Sequence, residues 1–99
     1  MRRQDAVTIL KAIEPDIRAF GVESLSIFGS VARDEAEARS DLDVFVDPGT
    51  DAFYGLRNYV GAYRRLVEAF PGVTIGYSTR QGLASAVRPT VEREAVRVF

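Results

Sequence analysis

The sequence predicts an α/β domain with a small mixed β-sheet flanked by helices. Two observations predict this class: amphipathic helical patterns alternate with short apolar strand patterns, and glycine or proline separates most of them. A chain of 99 residues can build one hydrophobic core but not two. We therefore expect a single domain over residues 1–99, without a separate module for binding a second substrate.

The first half of the chain alternates helical and strand patterns. Apolar residues recur at three- and four-residue spacing over 6–20, which predicts an opening helix in which Pro15 is a candidate break. Residues 25–28 predict a short strand that ends at a Gly-Ser turn. Residues 31–38, rich in alanine and acids, predict a short helix, and residues 41–46 predict a second strand.

The second half begins with the clearest helical pattern in the chain. Asp51 is a candidate cap for a long amphipathic helix that reaches Phe70. Residues 73–77 predict a third strand, and Thr79 can cap a helical turn after it. Residues 95–99 either finish a last helix or add a short strand, because the pattern fits both.

Composition excludes several kinds of chemistry. The chain contains no cysteine and no histidine, which removes the usual structural zinc sites, disulfides, a thiolate nucleophile and an imidazole base. An enzyme with this composition works with carboxylates, hydroxyls, backbone amides and arginine. That inventory suits a hard cation such as Mg²⁺, which prefers oxygen ligands and substrate phosphates.

Charge and hydropathy narrow the set of partners. The net charge is -1 with no long block of one sign, which argues against a large basic platform for nucleic acid. No stretch is apolar for the roughly 18 residues that a membrane span needs. The N-terminal residues lack the apolar core of a signal peptide, so we expect a cytoplasmic protein without a membrane partner.

Two neighbouring segments carry the candidate chemistry. Gly29 and Ser30 end one predicted strand, and Asp41 and Asp43 begin the next. Side chains alternate along a strand, so the two carboxylates point to one face about 6–7 Å apart, and one cation can lie between them. Glycine has no Cβ, which allows a phosphate to approach the backbone amides closely, and Ser30 adds a hydroxyl.

Each motif alone has an ordinary structural interpretation. A Gly-Ser pair is usually a turn, and an aspartate pair on a strand is usually a solvated edge. Their coincidence on adjacent strands favours a site where metal carboxylates face phosphate-binding amides. That arrangement suits phosphoryl-type transfer, in which catalysis is mostly positioning and charge stabilisation.

The segments Ile27-Phe28-Gly29-Ser30-Val31-Ala32-Arg33 and Ser40-Asp41-Leu42-Asp43-Val44-Phe45-Val46 resemble the signature of the DNA polymerase β superfamily of nucleotidyltransferases, especially its minimal bacterial and archaeal branch. The resemblance implies the polymerase β-like nucleotidyltransferase fold. It implies that Gly29 and Ser30 hold the triphosphate of a nucleotide such as ATP. It also implies that Asp41 and Asp43 are the catalytic ligands of Mg²⁺, or of Mn²⁺ in its place.

The resemblance also implies a partner. Domains of the minimal branch are commonly paired with a small helical protein of the HEPN type in toxin–antitoxin modules. There the nucleotidyltransferase acts as the antitoxin, and members of the group transfer AMP from ATP to the toxin. Such a partner would explain how a short chain manages without its own acceptor-binding domain.

The sequence departs from the family pattern at the third carboxylate. The family places this acid on a later strand, and here the corresponding position is Gly76. Asp47 lies about 13 Å along the strand from Asp43, too far to share a metal ion without a bend. Glu92 and Glu94 could substitute only if the fold brings them close, and otherwise they are solvated acids.

The departure leaves two function classes open. The first is an enzyme that transfers a nucleoside monophosphate to a hydroxyl of a partner protein. The second is a weak or inactive nucleotidyltransferase that neutralises its partner by contact alone. A transferase acting on small molecules such as aminoglycosides is a more distant alternative, because the chain has no acceptor domain.

Overall fold

The computed structural model describes all residues from Met1 to Phe99. Along the chain the elements are α1 (Arg3–Ala12), α2 (Glu14–Ala19), β1 (Val22–Phe28), α3 (Gly29–Ala32), β2 (Leu42–Pro48), a 3₁₀ helix (Asp51–Tyr54), α4 (Leu56–Ala69), β3 (Ile75–Thr79), α5 (Arg88–Glu94) and β4 (Val96–Arg97). The predicted α/β class is confirmed. None of the helices combines the length and the apolar character that crossing a bilayer requires.

The four strands form one mixed sheet in the order β3-β2-β1-β4. β1 is antiparallel to β2 and to β4, whereas β2 is parallel to β3. The register places Phe28 of β1 opposite Asp43 of β2, and Asp43 opposite Gly76 of β3. Asp43 is therefore the middle residue of a row that crosses three strands.

One face of the sheet carries the main hydrophobic core. Its inward side chains alternate along β1 and β2 and are fully buried beneath α1, α2 and α4; they are Leu25, Ile27, Leu42, Val44 and Val46. Full burial of each such aliphatic side chain contributes about 1.5–3 kcal/mol to folding. The alternation fixes the register, because a slip of one residue would turn these side chains to the opposite face.

The opposite face carries the remaining strand residues, including Asp43 and Asp47. Phe45 lies between these two acids and is only 1% exposed. Its ring is 5.8 Å from the ring of Phe28, and the guanidinium of Arg80 lies 4.7 Å above it. These aromatic contacts explain why this polar face still excludes water at its centre.

The predicted division of the opening helix is confirmed. α1 ends at Ala12 and α2 begins at Glu14, with Pro15 in the first turn of α2. Proline is tolerated there because the first turn of a helix leaves its N–H groups without helical partners. Thr79 Oγ1 accepts a hydrogen bond of 2.9 Å from the N–H of Gly82, but the helical turn predicted after it is wrong, because residues 80–87 form turns and the next helix, α5, begins at Arg88.

The helix predicted over residues 31–38 is wrong. α3 contains four residues and stops because Asp34 adopts a left-handed backbone with φ 60°. The N–H of Asp34 donates to the carbonyl of Val31 at 3.0 Å, and the N–H of Glu35 donates to the carbonyl of Ser30 at 2.8 Å. This pair of bonds is a Schellman motif, which ends a helix by satisfying its last carbonyls.

The predicted cap at Asp51 is also wrong. Asp51 begins the 3₁₀ helix, and α4 starts only at Leu56 without a side-chain cap. The tighter 3₁₀ turn brings Phe53 into the core, where it is fully buried, before the long helix begins. At the C-terminus the short strand is the correct alternative for residues 95–99, because α5 already ends at Glu94 and β4 follows at Val96–Arg97.

Candidate functional site

The predicted site residues converge at one end of the sheet. Because β1 and β2 are antiparallel, the last residue of β1 lies beside the first residues of β2. Gly29 and Ser30 follow β1 directly, Asp41 immediately precedes β2, and Asp43 is its second residue. The topology alone therefore places a Gly-Ser turn against two carboxylates.

The carboxylate of Asp43 lies between two glycines. A Cβ placed on Gly29 would lie 2.5 Å from Asp43 Oδ2, and a Cβ placed on Gly76 would collide with Asp43 Oδ1. Gly29 also has φ 73°, a backbone conformation that side chains rarely adopt. The two glycines together create the space that the carboxylate occupies, so this orientation of Asp43 depends on both positions lacking a side chain.

The local electrostatics leave negative charge uncompensated. Burial raises the pKa of Asp43 above its ordinary range, the nearby charge of Asp41 raises it further, and Arg33 opposes this in part. A bound divalent cation would relieve both effects because it favours the ionised carboxylates.

The oxygen ligands at this site suit a cation that is bound together with the phosphates of a nucleotide. The residues that could hold it are Asp41 and Asp43, whose oxygens suit Mg²⁺ or Mn²⁺. Nowhere in the chain do three or more acidic, histidine or cysteine residues group around one point. Mg²⁺ commonly uses one or two carboxylates and completes its shell with water and substrate phosphates, so two aspartates are sufficient for a nucleotide-bound ion.

The turn that carries Ser30 is tied to the N-terminus of the chain. Asp34 Oδ1 accepts a hydrogen bond of 2.9 Å from the backbone N–H of Arg3, the first residue of α1. The guanidinium of Arg3 donates in return to the carbonyl of Ala32 at 3.0 Å. These long-range bonds hold the end of α3, and with it the Gly-Ser turn, against the start of α1.

Arg33 lies at the rim of the site. Its guanidinium is 3.1 Å from a carboxylate oxygen of Glu35 and 3.1 Å from one of Glu94. Glu35 reaches the arginine because the left-handed residue at position 34 turns the chain back after α3. Such exposed ion pairs contribute little to stability. The pair with Glu94 nevertheless brings that acid to the rim of the site, where it contacts Arg33.

Two other candidate acids are engaged elsewhere. Asp47 accepts hydrogen bonds of 2.8 and 2.9 Å from Arg80 and one of 2.8 Å from the hydroxyl of Ser24. Glu92 lies 3.8 Å from the same arginine. The strand position opposite Asp43 is Gly76, so the structure offers no third carboxylate beside the pair.

Comparison with known proteins agrees with this geometry. The family model of the nucleotidyltransferase domain matches residues 7–97. The chain belongs to the nucleotidyltransferase domain family. A curated relative, the protein adenylyltransferase MntA of Thermococcus cleftensis, is 33% identical over 100 residues, which cover 96% of this chain and 94% of that protein.

A solved structure places this nucleotidyltransferase domain in the minimal branch. The similar protein is described as a minimal nucleotidyltransferase, with a TM-score of 0.79 and 29% identity. The match covers 97% of this chain and 95% of the other. The resemblance inferred from the two motifs is therefore confirmed, as is the fold that it implied.

Sequence reasoning missed the contacts that hold this site in place. The two glycines around Asp43 come from different elements, the start of α3 and β3, and only the register of β2 and β3 shows that Gly76 faces Asp43. The bonds between Arg3 and the turn join positions 31 and 29 residues apart. No local pattern in the sequence signals such a long-range pairing.

Proposed function

We propose that this nucleotidyltransferase domain binds a metal-bound nucleoside triphosphate and transfers a nucleoside monophosphate, AMP from ATP, to a hydroxyl of a partner protein. The observation that carries the proposal is the carboxylate of Asp43 held between Gly29 and Gly76, next to Asp41. The printed name of the archaeal relative, a protein adenylyltransferase, supports both AMP and a protein acceptor.

Each residue has a defined task in this proposal. The backbone of Gly29 and the hydroxyl of Ser30 hold the phosphates, and Asp41 and Asp43 hold Mg²⁺, for which Mn²⁺ can substitute. When bound, the cation neutralises charge on the phosphate oxygens and aligns them for in-line displacement. A bond forms between the acceptor oxygen and the α-phosphorus, pyrophosphate leaves, and the hydroxyl proton passes to solvent.

The partner that we propose is a small helical protein of the HEPN type, with the nucleotidyltransferase as the antitoxin of a cytoplasmic toxin–antitoxin pair. The membership of the chain in the minimal branch supports this, because the resemblance to that branch implies such a pairing. A protein acceptor also suits a domain whose candidate site is an open end of a sheet. The near-neutral net charge of -1 makes nucleic acid a poor alternative.

A second function is favoured by one observation. The residue opposite Asp43 on the neighbouring strand is Gly76, where the family pattern has an acid. Without a further carboxylate, the site holds the triphosphate but activates the incoming hydroxyl poorly. The second proposal is therefore a domain that transfers AMP slowly and inhibits its partner mainly by contact.

Transfer of labelled AMP from ATP to the co-purified partner tests the proposed function. The wild type, Asp43→Asn and Gly76→Asp are compared, with Asp51→Asn as a control because Asp51 is an exposed aspartate of the 3₁₀ helix. We expect slow transfer by the wild type, loss with Asp43→Asn and faster transfer with Gly76→Asp once Asp43 has rotated away from the new Cβ. Absence of AMP transfer by the wild type would refute the reaction, and transfer that Asp43→Asn leaves unaffected would refute the role of Asp43.

The same assay separates the two functions. Inhibition of the partner that persists in Asp43→Asn indicates action by contact, whereas inhibition lost together with transfer indicates the enzyme. Fast wild-type transfer that Gly76→Asp does not improve would show that another group supplies the third ligand.

A further inference from the structure

A second concave surface lies at the other end of the molecule. It is a groove of about 630 Å³ between the end of α2 and the first half of α4, lined by Phe20, Leu56, Arg57, Val60, Gly61 and Arg64. β1 separates it from the transfer site: this strand begins two residues after Phe20 and ends at Phe28, next to Gly29. Seven strand residues span about 23 Å, so a ligand in the groove would not occupy the transfer site.

The floor of the groove combines a packed aromatic ring, Phe20, with an exposed apolar side chain, Leu56. Leu56 is 81% exposed, the highest value among the large hydrophobic residues of the chain that are exposed. Glycine at position 61 costs about 1 kcal/mol relative to alanine inside a helix. A Cβ on Gly61 would lie 2.8 and 2.9 Å from two ring carbons of Phe20, so the glycine allows the ring to lie directly on the helix.

The sides of the groove carry positive charge. Arg57 and Arg64 line it, and neither takes part in an ion pair within the chain, unlike Arg65 on the same helix. The two arginines are seven residues apart on α4, about 10 Å along the helix axis. An apolar floor flanked by two free cations at this spacing complements a helix with apolar anchors and acidic flanks.

We propose that this groove is a docking surface for an acidic amphipathic helix of a partner protein. The apolar side chains of that helix, at positions i, i+3 or i+4 and i+7, contact Leu56, Val60 and Phe20, and its flanking carboxylates pair with Arg57 and Arg64. The inference goes beyond the transfer reaction. Its test uses no nucleotide, so that its failure and the failure of the proposed function are separate results.

The test uses two synthetic helical peptides as probes, with identical leucine anchors and either glutamate or lysine at the flanking positions. Fluorescence anisotropy measures their affinity for the intact protein. We expect the glutamate peptide to bind about 30-fold more tightly than the lysine peptide, because each of two exposed contacts changes from an attraction to a repulsion of about 0.5 kcal/mol. The double substitution Arg57→Glu and Arg64→Glu should reverse this preference.

Matched variants assign the effect to the groove. Leu56→Ala should weaken both peptides alike, since it removes apolar contact without changing charge. Arg2→Glu with Arg93→Glu changes the net charge equally outside the groove and should leave the preference for the glutamate peptide in place. A preference that follows net charge in this control would overturn the proposal.

Other outcomes also overturn it. The docking helix is refuted if the wild type shows no saturable binding of the glutamate peptide, or binds both peptides equally. Sedimentation that shows a dimer of this chain, abolished by Leu56→Glu, would assign the groove to a second copy instead.

Discussion

Asp34 shows how one residue supports the site without touching it. It occupies the left-handed C′ position that ends α3, where helices commonly have glycine, and a left-handed backbone costs an ordinary residue about 1–2 kcal/mol. Its carboxylate offsets this cost by accepting the N–H of Arg3, one of the unpaired donors at the start of α1. Compared with glycine, Asp34 is therefore less favourable in backbone conformation, but its side chain adds a hydrogen bond between α3 and α1.

These two opposing effects predict an order of stabilities. Asp34→Ala keeps the unfavourable conformation and loses the hydrogen bond, so we expect the free energy of unfolding to fall by about 1–2 kcal/mol. Asp34→Gly loses the same bond but relieves the backbone, and should stay within about 0.5 kcal/mol of the wild type. Urea unfolding measures both. Equal losses in the two variants would show that the left-handed conformation carries no cost here.

At the scale of elements, an ion pair joins β2 to the segment after β3. Asp47 near the end of β2 accepts two hydrogen bonds from Arg80, which follows β3 and covers the ring of Phe45. Arg80 holds the pKa of Asp47 below its ordinary range, and the hydroxyl of Ser24 adds to this against the effect of burial. The pair therefore stabilises the parallel edge of the sheet while Asp47 is ionised.

The sign of this shift fixes a pH dependence. Because the pKa is lower in the folded state, the stabilisation is full above the unfolded value of about 3.9 and is lost as the pH falls through the folded value. Asp47→Asn should lower stability by about 1 kcal/mol at neutral pH, a modest value because the side chains are 29% and 35% exposed. Urea unfolding as a function of pH should show this difference shrinking below about pH 4. A stability difference between the wild type and Asp47→Asn that does not change with pH would contradict the stabilising role of the ionised carboxylate.

The elements also show what sequence could and could not predict. Periodicity predicted the long helix α4, the first two strands and the break at Pro15, because each depends on residues close in the chain. It failed over residues 31–38, where alanine and acids favour helix but Asp34 ends α3 through a contact with Arg3. β3 lies two residues later than predicted, since its position is set by pairing with β2.

At the scale of the whole molecule, the fold separates two surfaces on a small body. The Gly-Ser turn, Asp41 and Asp43 lie at one end of β1, and the groove of α2 and α4 lies beyond the other. The sequence predicted the residues of the first surface because their motifs lie close together along the chain. It did not predict the second, because Phe20 and Gly61 come together only when α2 contacts α4.

In the function that we propose, Asp41 and Asp43 hold a divalent cation together with a nucleoside triphosphate. Calorimetric titration of ATP into the protein, with Mg²⁺ and then with EDTA, measures whether ATP binding depends on that cation. We expect Mg²⁺ to strengthen ATP binding to the wild type, and Asp43→Asn to weaken the metal-dependent binding by about tenfold or more. Asp51→Asn, the exposed control, should bind as the wild type does. Equal ATP affinity in Mg²⁺ and EDTA, or metal-dependent binding that survives Asp41→Asn with Asp43→Asn, would contradict the assignment.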